Sequence, residues 1–394
     1  MLIAKEAAGE RNAAPVMQVA PRVLVDATAV PADRGGVGRY VDGLLDALGR
    51  ADADLAIACQ RADAARYGRV APQASIVAGP AAISHRPARL AWEQTGLPLV
   101  AQQVNAAVVH SPHYTMPLRA GRPVVVTIHD ATFFTDPELH TAVKGTFFRS
   151  AMRTALRRAD RTIVPSKATR DELIRILDAD PTKIDVSYHG VDTATFRPPT
   201  DADIARVSAR LGLHDAPYVA FLGALEPRKN VSALIEGWTK AVQGRQDQPA
   251  LVLAGGVGWD DDVDRAVAAV PPPLRVVRPG YLRFTDLPGF LGGATVVAYP
   301  SRGEGFGLPV LEAMACGAPV LTTHRLSLPE VGGDAVAYTE PDVDAIAEAL
   351  AALLDDPDRR AQLSAAGVAR AAEFPWEASA EAHLASYARA ASTE

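Results

Sequence analysis

Two carboxylates, Glu304 and Glu312, stand with seven residues between them in the run Ser301-Arg302-Gly303-Glu304-Gly305-Phe306-Gly307-Leu308-Pro309-Val310-Leu311-Glu312, which continues to Gly317. The apolar stretch 295–300 before them reads as a buried strand. Gly303, Gly305 and Gly307 give the next segment a backbone that can approach a ligand closely. Pro309 suits the first turn of a helix, where the amide it lacks would be unpaired anyway. Gly317 stands where a left-handed helix stop is expected. A strand-to-helix turn of this kind presents free amides, and these favour an anion such as a phosphate. Glu304 in the loop and Glu312 one turn into the helix are placed to bind hydroxyl groups on either side of that anion. A phosphate flanked by hydroxyl-bearing rings describes a sugar nucleotide.

Other residues extend this chemistry. In Glu226-Pro227-Arg228-Lys229-Asn230, after the apolar run 218–222, an adjacent Arg and Lys can neutralise a diphosphate and stabilise it as it leaves. Asn230 is a candidate cap for the helix that follows. Gly35-Gly36-Val37-Gly38-Arg39-Tyr40 opens a helix and can approach a donor phosphate through Gly36. Position 41 is Val where a dinucleotide fingerprint needs glycine, which weakens an NAD reading. His129, at the end of the run 124–129, can bond a sugar hydroxyl or shape the reacting centre, although a lone histidine at a strand end is more often structural. His110 and His113 are candidates for the acceptor side, together with Trp92, Tyr114, Phe133 and Phe134. Gly280 and Tyr281 follow another strand and can hold a nucleobase through backbone contacts and an aromatic wall. Triplets such as Asp178-Ala179-Asp180 and Asp201-Ala202-Asp203 lie outside strand ends, and no His/Cys cluster offers a transition-metal site, so no metal is expected.

These residues need a scaffold that brings strand ends together. Short apolar runs at 22–26, 55–59, 106–110, 124–129, 161–165, 184–188, 218–222, 250–254, 274–277 and 296–299 alternate with helix-length amphipathic segments, the pattern of parallel sheets covered on both faces. With 394 residues, 48% of them hydrophobic, the chain is long enough for two such cores. Arg197-Pro198-Pro199-Thr200 breaks the series and is the expected linker. The divisions expected are a polar, alanine-rich tail over 1–20, a first unit over 21–197, a second over 198–376 and a final helix, 377–394, that returns to the first. Ligands of such folds sit at the carboxyl ends of the strands, here in a cleft between the units.

A formal net charge of −6 argues against nucleic acid as a partner. Only two cysteines, no apolar run of membrane length and no signal peptide predict a cytoplasmic protein. The segment 148–161, with Arg149, Arg153, Arg157, Arg158 and Arg161 at helical spacing, is the one stretch that suggests peripheral contact with the inner face of a membrane. A solvated basic face on a core-packing helix is the stronger reading of it.

Taken in order from about residue 22 to 387, these stretches resemble the retaining glycosyltransferases of family 4, with the GT-B fold, and within them the bacterial mannosyltransferase branch. Thr127-Ile128-His129-Asp130, Arg161-Thr162-Ile163-Val164-Pro165-Ser166 and His189-Gly190-Val191-Asp192 are further signposts. The resemblance implies two doubly wound Rossmann-like α/β domains facing each other across a cleft. It implies Glu304 at the reacting sugar, with Gly305 and the amides of Phe306, Gly307 and Leu308 holding that sugar and the diphosphate. Glu312 would bind the ribose, Arg228 and Lys229 the diphosphate, and Gly36 the phosphate from the first domain. His129 would stand near the transferred hexose. The implied reaction needs no cofactor or metal, retains anomeric configuration and proceeds by front-side displacement. The donor implied is GDP-mannose, with UDP- or dTDP-sugars as the alternative, and the acceptor a glycan or glycolipid. A sugar-nucleotide epimerase or hydrolase is the rival on the same fold. One departure is His189-Gly190, where relatives often carry Asn-Gly; it reads as the turn before the linker.

Overall fold

The computed structural model describes residues 21–31, 34–137, 142–214 and 216–392, so the tail expected over 1–20 lies outside the described residues. The first sheet is built from β1 (Val23–Asp26), β2 (Leu55–Cys59), β3 (Ser75–Ala78), β4 (Val108–Ser111), β5 (Val124–Thr127), β6 (Arg161–Val164) and β7 (Ile184–Val186), in the order β3-β2-β1-β4-β5-β6-β7. The second contains β8 (Tyr218–Leu222), β9 (Ala250–Ala254), β10 (Val276–Gly280), β11 (Val296–Tyr299), β12 (Val320–Thr323) and β13 (Ala337–Thr339), in the order β10-β9-β8-β11-β12-β13. Every pairing is parallel, as in Val23↔Leu55 and Val219↔Leu251. Runs such as Val-Leu-Val and Leu-Ala-Ile-Ala-Cys are apolar on both faces because helices cover both faces. Each sheet reverses its strand order once, between β1 and β4 and between β8 and β11. Those two reversals open the crevices in which doubly wound folds bind ligands.

Local sequence accounts for the joins. Thr200 and Asp203 form a reciprocal capping box at the start of the helix Asp201–Leu211, so the acids of the 201–203 triplet serve a helix terminus. The helix Trp376–Ala391 crosses back over the first sheet and the helix Gly36–Arg50. A Cβ on Gly43 would lie 2.3 Å from the Trp376 ring, which is why that helix can approach so closely. Beneath it, Tyr387 and Thr127 hold the two ring nitrogens of His110 at 2.9 Å each. His110 is therefore a core residue, not part of an acceptor wall, because the returning helix brings Tyr387 onto it. Arg161 begins β6, as the apolar run 161–165 implies, and pairs with Asp185 at 2.5 Å; the basic segment 148–161 is helical only as far as Arg158, in the helix Ala142–Arg158.

This core has a pH consequence. Burial pushes His383 down to about 4, although the Ser379 carbonyl opposes the shift, and holds His110 and His189 well below the ordinary value of 6.5. Unfolding lets these rings take up protons, so their contribution is complete above pH 6.5 and declines as pH falls toward 4. For His383 alone the decline is roughly 3 kcal/mol over that window. Thermal melting should show Tm dropping between about pH 7 and 5, less steeply in His383→Gln; a flat profile would contradict the buried neutral cluster.

Candidate active site

Glu304 lies buried at the end of β11, where the second sheet reverses. Its Oε2 accepts from Arg228 at 2.5 Å, and its Oε1 accepts from Lys229 at 2.6 Å, Ser301 at 2.7 Å and Tyr299 at 3.1 Å. Both cations come from the turn Pro227–Lys229 after β8, the neighbouring strand. Burial alone would raise the Glu304 carboxyl, but the Arg228 and Lys229 charges outweigh it and hold the group at about 2. Burial and the Arg228 charge push the Lys229 ammonium down, against the pull of Glu304. Two cations are thus compressed onto one carboxylate, and an incoming polyanion can recruit them. Asn230 does not cap the following helix; its amide donates to Pro341 O at 2.7 Å and Pro300 O at 3.3 Å, tying loops together.

Beyond Glu304, Gly307 adopts φ +104° and starts the helix Leu308–Ala315 with no side-chain cap, while Gly317 takes the left-handed stop at φ +71°. Glu312 is buried on this helix and pairs with Arg39, which reaches across from the helix Gly36–Arg50. That helix also starts without a side-chain cap, and Cβ atoms on Gly35 or Gly36 would meet nothing within 4 Å. Two bare helix N-termini, each a favourable place for an anion, therefore belong to opposite sides of the cleft.

The two units meet at Gly305. A Cβ there would lie 1.7 Å from the His129 carbonyl oxygen, so only glycine allows this approach. Thr169 donates to Gly305 O at 3.2 Å, and Glu330 of the second unit accepts from the amides of Lys167 and Ala168 at 2.9 and 2.6 Å. His129 donates Nε2–H to Pro112 O at 2.8 Å, which leaves Nδ1 as its acceptor, and burial lowers its pKa against the Pro112 carbonyl and Asp130. Phe306 sits 5.0 Å from the His189 ring.

Gly280, at φ +71°, closes β10, and Tyr281 follows it and lies over Gly256. The loop Gly255-Gly256-Val257-Gly258 was not expected at the site. Cβ atoms on Gly255 and Gly258 would lie 2.1 and 2.0 Å from the carbonyl oxygens of Gly223 and Leu225, so this loop threads against the one that carries Arg228. Three glycines after an apolar strand were the available signal. Arg39 was also missed, for it stands in a glycine motif whose partner is 273 residues away. Of the acceptor candidates, His113 lines a cavity, whereas Tyr114 and Phe133 are core residues and Phe133 stacks on Phe148 at 4.7 Å.

Residues 34–195 match the family described as Glycosyltransferase Family 4, and residues 203–370 match Glycosyl transferases group 1. The O-antigen chain mannosyltransferase B of Escherichia coli is 33% identical over 68% of this chain and 71% of its own length. The D-inositol 3-phosphate glycosyltransferase of Mycobacterium avium is 37% identical over 59% of this chain; the match spans 55% of that relative. Among solved structures, Anabaena HepE in complex with UDP-glucose has a TM-score of 0.74 at 19% identity, covering 92% of this chain and 98% of its own. Sucrose-phosphate synthase from Thermosynechococcus elongatus has the same TM-score at 20% identity, covering 91% and 96%. The two facing Rossmann-like units have the GT-B fold, and the family matches and the Escherichia coli relative make the protein a glycosyltransferase. The chain belongs to glycosyltransferase family 4.

Proposed function

We propose that this glycosyltransferase is retaining and metal-independent, and that it moves mannose from GDP-mannose onto a glycan or glycolipid acceptor. The observation that carries the reading is the buried Arg228–Glu304–Lys229 cluster at a strand-order reversal, facing His129 across the cleft. On this reading the diphosphate takes a share of Arg228 and Lys229. Their two charges neutralise it as it leaves, the work a divalent cation would otherwise do. The amides of Phe306, Gly307 and Leu308 and the bare helix start at Gly36 receive phosphate oxygens. Gly280 and Tyr281 flank the base, and Glu312 accepts from the ribose hydroxyls. His129 Nδ1 accepts from a hydroxyl of the transferred hexose. Front-side displacement then hands the acceptor proton to the leaving phosphate, and no side chain is assigned as general base.

Mannose rests on the likeness to the Escherichia coli mannosyltransferase. The membrane contact considered for 148–161 has less support. Arg149 donates to Phe133 O, Arg153 lies over Phe134, Arg158 donates to Leu118 O and Arg161 holds Asp185. Among the described residues no helix is long and apolar enough to cross a membrane.

Thermal-shift titration with GDP, GDP-mannose, UDP-glucose, UDP-N-acetylglucosamine and dTDP-rhamnose tests the donor. A ligand at 100 times its Kd stabilises the native state by about 2.7 kcal/mol. Stabilisation by the guanine compounds alone, with sugar transfer unchanged by EDTA, is the expected result. A response confined to UDP or dTDP compounds moves the donor assignment, and loss of transfer in EDTA overturns the metal-free mechanism.

A further inference from the structure

A cavity of about 320 Å³ opens where the first sheet reverses, beside the ends of β1, β2 and β4, lined in part by Thr28, Gln60, Arg86, Arg89, His113 and Lys144. Its size is that of a small-ligand site. Its charges are unevenly spent. Arg89 is paired with Glu93 at 3.0 Å, and Glu93 also accepts from Thr115 at 2.6 Å. Asp26, the other acid close by, accepts from the amide and hydroxyl of Thr28. Both carboxyls thus have partners of their own, and burial raises each against those hydrogen bonds.

Arg86 and Lys144 differ from Arg89. Among the described residues neither has a carboxylate within ion-pair distance. Aromatic faces hold them instead. The Arg86 guanidinium lies 5.3 Å from the Phe147 ring centre and 5.6 Å from that of Phe148. The Lys144 ammonium lies 4.7 Å from the centre of Trp259, which comes from the second unit. An aromatic face orients a cation without neutralising it. Between them His113 has a buried Nδ1 with no hydrogen-bond partner, and burial followed by the His129, Arg89, Arg86 and Lys144 charges keeps its ring neutral. The donor diphosphate does not need this place, since Arg228 and Lys229 serve it from the second sheet.

We propose that this cavity receives the acceptor, and that the acceptor carries a phosphoryl group gripped between Arg86 and Lys144. The proposal rests on the glycosyl transfer described above and names its second substrate as an anionic sugar, one esterified through phosphate or diphosphate. A tetrahedral group with several acceptor oxygens can engage two cations on separate helices together with the His113 nitrogen. A neutral glycan would leave both charges unused.

The test is calorimetry on the intact protein, with the donor side first filled by whichever nucleotide binds. The probes are mannose 1-phosphate, methyl α-mannoside, and vesicles with and without a polyisoprenyl-diphosphate-linked mannose. A charge-assisted contact at each cation predicts binding of a phosphorylated probe about tenfold or more tighter than the methyl glycoside. Arg86→Gln and Lys144→Gln should each weaken it by about tenfold, and Arg86→Lys should restore most of the loss. Binding of the soluble ester supports a free sugar phosphate as the source; binding confined to loaded vesicles supports a lipid-linked one. Equal affinity for ester and methyl glycoside, or no change in the two Gln variants while nucleotide still binds, overturns the proposal alone. Failure of every nucleotide to bind overturns glycosyl transfer and this proposal with it.

Discussion

Lys229→Ala lowers donor turnover by about 10²–10³-fold, the scale set by removing one preorganised charge from a developing anion, while the chain still folds. The local geometry explains both halves of this expectation. Without Lys229, Glu304 keeps Arg228 at 2.5 Å, Ser301 at 2.7 Å and Tyr299 at 3.1 Å, so no buried charge is orphaned. The leaving diphosphate, however, loses one of its two cations. Glu304→Gln behaves differently, because it leaves Arg228 and Lys229 facing a neutral amide in a buried site. Breaking a buried pair from one side costs about 3–5 kcal/mol, so this variant should melt earlier as well as turn over slowly. Single-turnover kinetics paired with thermal melting separates the two effects. Wild-type turnover in Lys229→Ala removes the diphosphate role, and an unchanged Tm in Glu304→Gln means the cluster is less buried and coupled than its geometry implies.

Much of this cluster was legible because its parts are local. Glu304 and Glu312 share one strand-to-helix turn, and Arg228 and Lys229 follow a five-residue apolar strand, Tyr218–Leu222. Continuous apolar runs marked β2, β8, β9 and β11 at their observed bounds. The strands that escaped notice lack that signature. Ser75–Ala78 is a partly exposed edge strand, Ala337–Thr339 has three residues, and Val320–Thr323 ends in two threonines whose hydroxyls donate to Tyr299 O and Ser301 O. The same limit governs side chains. His110 looked like an acceptor residue because it ends a strand, and only the returning helix, 277 residues away, makes it a core partner of Tyr387. Arg86 and Lys144 stand in no motif, and only the fold sets each against an aromatic face and one cavity. Periodicity reports burial of an element, whereas a contact between distant elements needs the topology.

Glu312→Gln raises the donor KM by about 30-fold with little change in kcat, the expectation for a charged acceptor of ribose hydroxyls that binds ground and transition states alike. The structure gives Glu312 a partner of its own. Burial pushes the Glu312 carboxyl up, and Arg39 opposes the shift from the other side of the cleft. Removing the guanidinium in Arg39→Met therefore lets the carboxyl rise further toward its neutral form, which accepts hydroxyl hydrogen bonds less well. Because protonation grows as pH falls, the donor KM of Arg39→Met should climb as pH falls, and begin to climb at a higher pH than that of the wild type. The double variant Arg39→Met/Glu312→Gln should resemble Glu312→Gln and lose the pH dependence, since residues that act through one another are not additive. A lower donor KM in Arg39→Met would reverse the assignment and make Arg39 a competitor for the ribose site. If Arg39 instead keeps Glu312 ionised, the ion pair makes donor binding depend on closure, because the charge on the second unit's glutamate is maintained by a residue that only the facing unit can supply.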